Sequence, residues 1–418
     1  MNTNQIKLAF GDVRVKKVET PNDFISHMVE HIAWRMGCAI DLYWQDEDWT
    51  LLGEKLGVRI RSFPATRKMA AALGMLDEGS AEVLITKDSV GSLNITTGIH
   101  IDREWFLSQR CEQLSSGRAL VDLLTGLAKG LCLKISVRVC NFDDPHHTWE
   151  GVFRAVGVAL NKIFTPTIEA GILSLAEENN IQCGDFTIAA RSGQQAAIIR
   201  HTAESQLTVD VDFAKKQPVV FKYEGAPIAH FNKTNALEGF SKLLQLFADN
   251  TGLCLKTVFR SKVLSSSHVL LEDTGMVIGK ALREILVKRM MAQGINGAGS
   301  SLQRLDDFNE QKITVGVSVE GRKFFRMVPI GISFESIQRD LIIGKTVMGG
   351  LFSEDLDDFL DGLSWGLGCS IMVHIKDLPS AEAAWCMIFE NLGRALKEVF
   401  AINSYRKGVP PGVKANLS

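Results

Sequence analysis

Apolar and polar positions along the chain follow two alternating periods. Residues 130–160, GLCLKISVRVCNFDDPHHTWEGVFRAVGVAL, open on the Gly-terminated end of a helix, continue as a strand of alternating apolar residues, pass through a polar turn and end in an amphipathic helix. Residues 252–282, GLCLKTVFRSKVLSSSHVLLEDTGMVIGKAL, repeat that order without a gap at a constant offset of 122. GLCLK, an Arg, a His, a Glu, a Gly and a closing Ala-Leu coincide between the two segments. Weaker copies surround residues 36–58 and 367–396. The repetition predicts four strand-and-helix modules forming two units. The first unit is expected over 1–165 and the second over 198–418. Residues 166–197, rich in Pro, Gly, Ser and polar residues, are expected as linker or insert, with a short helix at ILSLAEENN. The Gly- and Pro-rich tail from Tyr405 ends the helical pattern.

Composition narrows the function. A chain of 418 residues with 46% hydrophobic content can bury two or more cores. A formal net charge of -2 gives no global attraction to nucleic acid or an anionic membrane, so neither is expected as a partner, and a small-molecule substrate is. The first residues, MNTNQIKLAF, lack a basic start followed by an apolar run, and no later stretch approaches the ~20 apolar residues of a spanning helix, so a soluble cytoplasmic protein is expected. Eight cysteines without a CxxC pair read as reduced core residues.

The candidate chemistry stands at helix starts. Asp144 suits an N-cap and Pro145 the first helical position, so a helix begins at the HHTWE string. His146 and Glu150 are four apart and share a face, while His147 points about 100° away. The positive end of the helix dipole disfavours imidazolium, which keeps both rings able to bind a metal. Two imidazoles and a carboxylate suit a borderline ion such as manganese, iron or zinc. At the 122-residue offset, Ser266 is the expected cap, with His268 and Glu272 again four apart and Val269 in place of the second His. In the first module, His27 and His31 have ligand spacing on a helix, while Asp46 and Glu47 stand where the His pair would be and Thr50 where the Glu would be. The fourth module carries Glu382, Ala383 and Cys386 there. In the first module the carboxylates can bind Mn2+ or form a charged surface turn, whereas in the fourth a solvated helix start without metal is expected.

These strings resemble the imidazoleglycerol-phosphate dehydratase family, whose two homologous halves each carry HHxxE. RHTAES at 200–205 is similar to the family's RxTxET, GGLFSEDLDDFL at 349–360 to its GGxDTELxEHFF, and RKGVPPGVK at 406–414 to its closing GVPSTK. The resemblance implies an α+β fold of the ribosomal protein S5 domain 2-like type, here as four repeated sheet-plus-helix modules in two dehydratase-like units. It implies a homo-oligomer, a trimer or a higher shell-like assembly. It further implies Mn2+ or another divalent transition metal, no organic cofactor, and a carbon-oxygen lyase (hydro-lyase) activity of histidine biosynthesis. Carried over by position, His27, His146, His147, Glu150, His268 and Glu272 would be metal ligands and Glu204 the acid/base-associated residue. Arg61 and Lys414 would hold the substrate's phosphate.

The departures from the family pattern are also legible. Asp122 and Asp358 replace a ligand His, Lys242 stands where the third module should have the equivalent of His27, and PGVK has lost the hydroxyl of STK. Sequence therefore leaves two readings, a metal-dependent dehydratase and a non-catalytic relative with an assembly, binding or regulatory role. A phosphate-transferring enzyme has no support, since GINGAGSS at 294–301 lacks the Lys of a phosphate loop.

Overall fold

The computed structural model describes residues 4–76, 78–166, 180–225, 228, 235–262 and 266–411. The amino-terminal half begins with strands β1 (Gln5–Phe10) and β2 (Lys16–Glu19), helix α1 (Asp23–Met36), strand β3 (Cys38–Tyr43) and helix α2 (Trp49–Arg61). It continues with β4 (Ala70–Leu76), β5 (Gly79–Lys87), β6 (Ser92–Thr97), α3 (Arg118–Leu131), β7 (Leu133–Asn141) and α4 (Pro145–Phe164). The carboxy-terminal half opens with β8 (Ile181–Cys183), β9 (Phe186–Arg191), β10 (Gln195–His201), β11 (Ser205–Asp212) and β12 (Val220–Gly225), followed by α5 (Ala236–Thr251), β13 (Cys254–Ser261) and α6 (Ser267–Ala292). Then come β14 (Ala298–Ser300), β15 (Ile313–Val319), β16 (Phe324–Pro329), α7 (Ser353–Leu367), β17 (Cys369–Ile375) and α8 (Ala381–Val399).

One strand order recurs in four mixed sheets. β3 pairs antiparallel with β1 and parallel with β2, and α1 connects the parallel pair. β7 stands in the same relation to β5 and β6, β13 to β11 and β12, and β17 to β15 and β16. The parallel pairs need a crossover, which α1, α3, α5 and α7 supply. The helices then pair by one rule in each half: α1 packs on α4 and α2 on α3, as α5 packs on α8 and α6 on α7.

Two of these helix pairs are held close by glycines spaced four apart. A Cβ at Gly126 would lie 1.9 Å from Thr50 O, and one at Gly53 would lie 2.0 Å from Leu123 O. In the other half, a Cβ at Gly366 would meet Met276 O at 1.9 Å and one at Gly275 would meet Phe359 O at 2.2 Å. Gly130 belongs to this contact as well, within 2.1 Å of Glu54 O for an added Cβ. It therefore does not end its helix: α3 runs on to Leu131, and Cys132 takes the left-handed cap at φ 54, whereas Gly252 caps α5 at φ 81 as its sequence implies.

Each half has its own apolar core, and a third apolar layer joins them. Leu73, Met75 and Leu84 of the first half face Val328, Ile330 and Met372 of the second, and Gly316 leaves the room that Leu73 Cδ2 fills. β4, β15 and β17 are consequently buried along their full length, helices covering one face and the opposing sheet the other. The boundary expected at 166–197 is only partly a connection. Phe186–Arg191 and the residues from Gln195 pair as strands, because Ile188, Ala196 and Ile198 alternate into the second core. The ILSLAEENN helix lies outside the described residues. Among the described residues no helix is long and apolar enough to cross a membrane.

Candidate metal centres

Asp144 caps α4, its side chain accepting from His147 N at 2.7 Å, with Pro145 in the first turn, as the sequence implies. The helix start thereby projects His146 and Glu150 toward α1, whose own start is capped by Asn22 and ended by Gly37 at φ 80. On α1, His27 and His31 are one turn apart and face α4.

The side chains meet around Glu150, which is wholly buried. Its Oε1 lies 2.7 Å from His27 Nε2 and 2.8 Å from His146 Nε2. His31 Nε2 lies 3.2 Å from His27 Nε2 and 3.4 Å from Glu150 Oε2, and Arg154 Nη2 donates to the same oxygen at 3.3 Å. Burial opposes ionisation of Glu150, but the hydrogen bonds from His27 and His31 outweigh it and hold the carboxyl well below its ordinary range. Burial drives His31 down to about 3, so that ring is neutral. His146 Nδ1 is 2.7 Å from Glu112 Oε1, a carboxylate behind the ring that leaves Nε2 facing inward. His147 turns the other way, with Nδ1 2.8 Å from Asp143 Oδ2 and 3.0 Å from Asp144 Oδ2.

A second cluster lies at the start of α6. Ser266 accepts from His268 N at 3.2 Å. His268 Nδ1 is 2.5 Å from Asp358 Oδ2 on α7, and its Nε2 is 3.2 Å from Glu272 Oε2. Asp355 joins His268 and Asp358 in a group whose donor atoms all lie within 4.8 Å, as His27, His146 and Glu150 do in the first cluster. This second cluster is half-exposed, and burial acting to lower the His268 pKa is outweighed by Asp358, so the net shift is upward.

Of the six predicted ligands, His27, His146 and Glu150 meet in the first cluster, His268 stands in the second with Glu272 beside it, and His147 turns away to Asp143 and Asp144; the chain by itself does not bring His146 and His268 into one group. Glu204 occupies the exposed turn between β10 and β11, where its carbonyl accepts from Ser261 Oγ at 2.9 Å. Arg61 ends α2 and contacts Cys132 Sγ. Lys414 lies outside the described residues. At the places corresponding to the first cluster in the second half, Lys242 is exposed and pairs with Glu238 at 2.9 Å, and Glu382 accepts from Met348 N at 3.0 Å. Asp46 accepts from Asn4 Nδ2 at 2.7 Å on the surface. Spacing alone did not single out Glu112, Asp355, Arg35, Arg154 or Glu320. Arg154 continues the four-residue ladder of His146 and Glu150 and could have been found there; Glu320 reaches the cluster from the other half and left no local signal.

Fold and clusters define an α+β protein of mixed sheets and paired helices, with imidazole and carboxylate groups gathered at helix starts. Residues 234–396 match the family model of imidazoleglycerol-phosphate dehydratase. The Streptococcus sanguinis imidazoleglycerol-phosphate dehydratase is 25% identical over 219 residues, 52% of this chain and 96% of that protein. The enzyme of that name from Thermoanaerobacter pseudethanolicus is 22% identical over 221 residues, again 52% of this chain and 96% of the relative. A crystal structure of the Pyrococcus furiosus dehydratase, in complex with (S)-C348, aligns with 49% of this chain and 94% of its own at 20% identity and a TM-score of 0.34. Residues 234–396 are therefore a domain of the imidazoleglycerol-phosphate dehydratase family, and a divergent one.

Proposed function

We propose that the chain is a metal-dependent hydro-lyase of the imidazoleglycerol-phosphate dehydratase type, acting on imidazoleglycerol phosphate or a related small phosphorylated or polar substrate. The observation that carries this reading is the meeting of His27, His146 and buried Glu150 from two helices far apart in sequence. Two imidazole nitrogens and a carboxylate oxygen, one imidazole backed by Glu112, suit Mn2+ or a similar borderline ion. A bound divalent ion supplies Lewis-acid stabilisation of negative charge where a weakly acidic C–H loses its proton. The chain's own groups set the geometry: Glu112 fixes the His146 ring, Arg154 holds Glu150 Oε2, and the paired carboxylates of Asp143 and Asp144 turn His147 outward. His268, Glu272, Asp358 and Asp355 would hold an ion in the second half.

The recurring strand order and the matching helix pairs support descent of both halves from one dehydratase-like unit by tandem duplication, each half made of two modules. Each half then keeps one cluster, α1 with α4 in the first and α6 with α7 in the second. Because Glu204 is exposed on a turn of the second half, it would act as acid or base toward a site completed by another copy of the chain, which fits a homo-oligomer.

A second reading, a non-catalytic relative, is favoured by one observation. The α5 and α8 pair carries Lys242 and Glu382 on surface contacts where a complete set would have ligands. Dehydration of imidazoleglycerol phosphate assayed with added Mn2+ separates the two. The lyase reading expects turnover that His146→Ala abolishes. Absence of turnover in a metal-loaded protein, or activity untouched by His146→Ala, sinks it.

A further inference from the structure

The first cluster is not built by the first half alone. Arg154, whose Nη2 holds Glu150 Oε2, gives its Nη1 to Glu320 Oε1 and to Met75 O at 3.2 Å. Arg35 Nη2 donates to the same Glu320 oxygen at 3.1 Å, and Ser318 Oγ donates to it at 3.1 Å. Glu320 and Ser318 belong to the second half, at the end of β15. Glu150, Arg154, Arg35 and Glu320 are all nine-tenths or more buried.

We propose that Glu320 of the second half is a positioning residue for the cation site of the first, setting its affinity by balancing Arg35 and Arg154. This rests on the metal reading of the His27, His146 and Glu150 cluster. A cation cannot settle cheaply beside two buried guanidinium groups, because charges of one sign repel strongly where water is excluded. With Glu320 ionised, each guanidinium has a carboxylate in contact, and Glu150 Oε1 stays turned to the imidazoles. With Glu320 neutral, the carboxylate left in hydrogen-bond contact with the arginine pair is Glu150. The uncompensated positive charge of the pair then draws Glu150 away from His27 and His146 and repels the ion. The dependence runs from one half to the other, so the first half's site would be complete only in the joined chain.

The test is calorimetric titration of the full chain with Mn2+ in a His268→Ala background, which removes the second cluster. The parent should bind the ion, and adding Glu320→Gln should weaken binding by about tenfold or more, as loss of a group supporting a ligand does. Adding Arg35→Met to Glu320→Gln removes one cation with one anion and should recover most of the affinity. A merely structural role for Glu320 would leave the double change as weak as the single one or weaker. Equal affinity of parent and Glu320→Gln, or no recovery on adding Arg35→Met, overturns the inference while the metal reading stands. Absence of Mn2+ binding by the His268→Ala parent overturns that reading for the first half, and the inference with it. If Glu320→Gln does not fold, the charge-balanced Arg35→Met/Glu320→Gln chain is compared with the parent directly: near-parent affinity supports the inference, and a tenfold loss overturns it.

Discussion

Glu82 shows how much a single residue can hold between the two halves. It is wholly buried in the layer between the opposing sheets, with Arg138 Nη1 at 2.8 Å, Lys376 Nζ at 3.0 Å, Thr314 Oγ1 at 2.5 Å and His374 Nδ1 at 3.2 Å. Ser80 Oγ lies 3.0 Å from His374 Nε2, so Ser80, His374 and Glu82 follow the hydrogen-bond order of a nucleophile, its base and the orienting acid. Ser80, His374 and Glu82 are all fully buried, so this chain of bonds joins sheets and does not meet a substrate. Glu82→Gln would leave Arg138 and Lys376 facing each other without a counter-charge. Both keep some solvent, so the loss should fall near the low end for a broken buried pair, about 3 kcal/mol by urea unfolding at neutral pH. Burial opposes the charge on Glu82, but Lys376 and His374 outweigh it and hold the carboxyl below its ordinary 4.5. A lowered carboxyl stabilises the fold above the unfolded value and loses that contribution as pH falls toward the folded one. The deficit of Glu82→Gln should therefore be steady from pH 7 to about 5 and narrow below about 4.5. His374, lowered by burial, refuses a proton that the unfolded chain takes below 6.5, so the wild-type chain should begin to lose stability there. A deficit that grows on acidification would contradict the Glu82 assignment, and wild-type stability that stays flat as pH falls through 6.5 would contradict that of His374.

Among the elements, the helix pairs govern whether the clusters exist at all. Gly362 approaches the turn of α6 that carries Glu272, and a Cβ there would lie 2.3 Å from Glu272 O. Gly362→Ala must push α7 away from α6, and so draw Asp358 from His268. Backbone atoms cannot yield as a side-chain tip can, so the expected loss is about 3 kcal/mol or more in thermal or urea unfolding. Gly11→Ala is the control, since its nearest neighbour would be Ala39 Cβ at 4.0 Å, and a change within about 0.5 kcal/mol is expected. Equal effects of the two substitutions would show that the close contact is not what holds the pair. The caps and strands of these elements were legible: Asp144, Pro145 and Ser266 act at the ends where their short-range chemistry places them. The glycine contacts were not, because a glycine in a helix pattern looks the same whether it faces water or another backbone. Gly130 had the look of a terminator and instead serves as a contact.

At the scale of the whole molecule, the two halves share the buried layer of Leu73, Met75, Val328 and Met372, the Glu82 network and the contact of Glu320 with Arg35 and Arg154. Residues 1–165 expressed alone would expose that apolar sheet face and leave Arg35 and Arg154 buried without Glu320. The fragment should associate or bind a hydrophobic dye in gel filtration and fluorescence, and co-expression with residues 181–418 should restore a discrete species. A monomeric fragment with a sharp unfolding transition would show that the halves are independent. The amino-acid sequence by itself determined the strand-turn-helix order of the repeated segments, the caps at Asp144 and Ser266 and the residue types at the helix starts, since these arise from period, short-range hydrogen bonding and local sterics. Only the tertiary structure decided which starts face each other. It drew His27 to Glu150, set His268 against Asp358, and carried Glu320 across to Arg154. Those meetings depend on how sheets stack and helices close, and no residue's neighbours along the chain encode them.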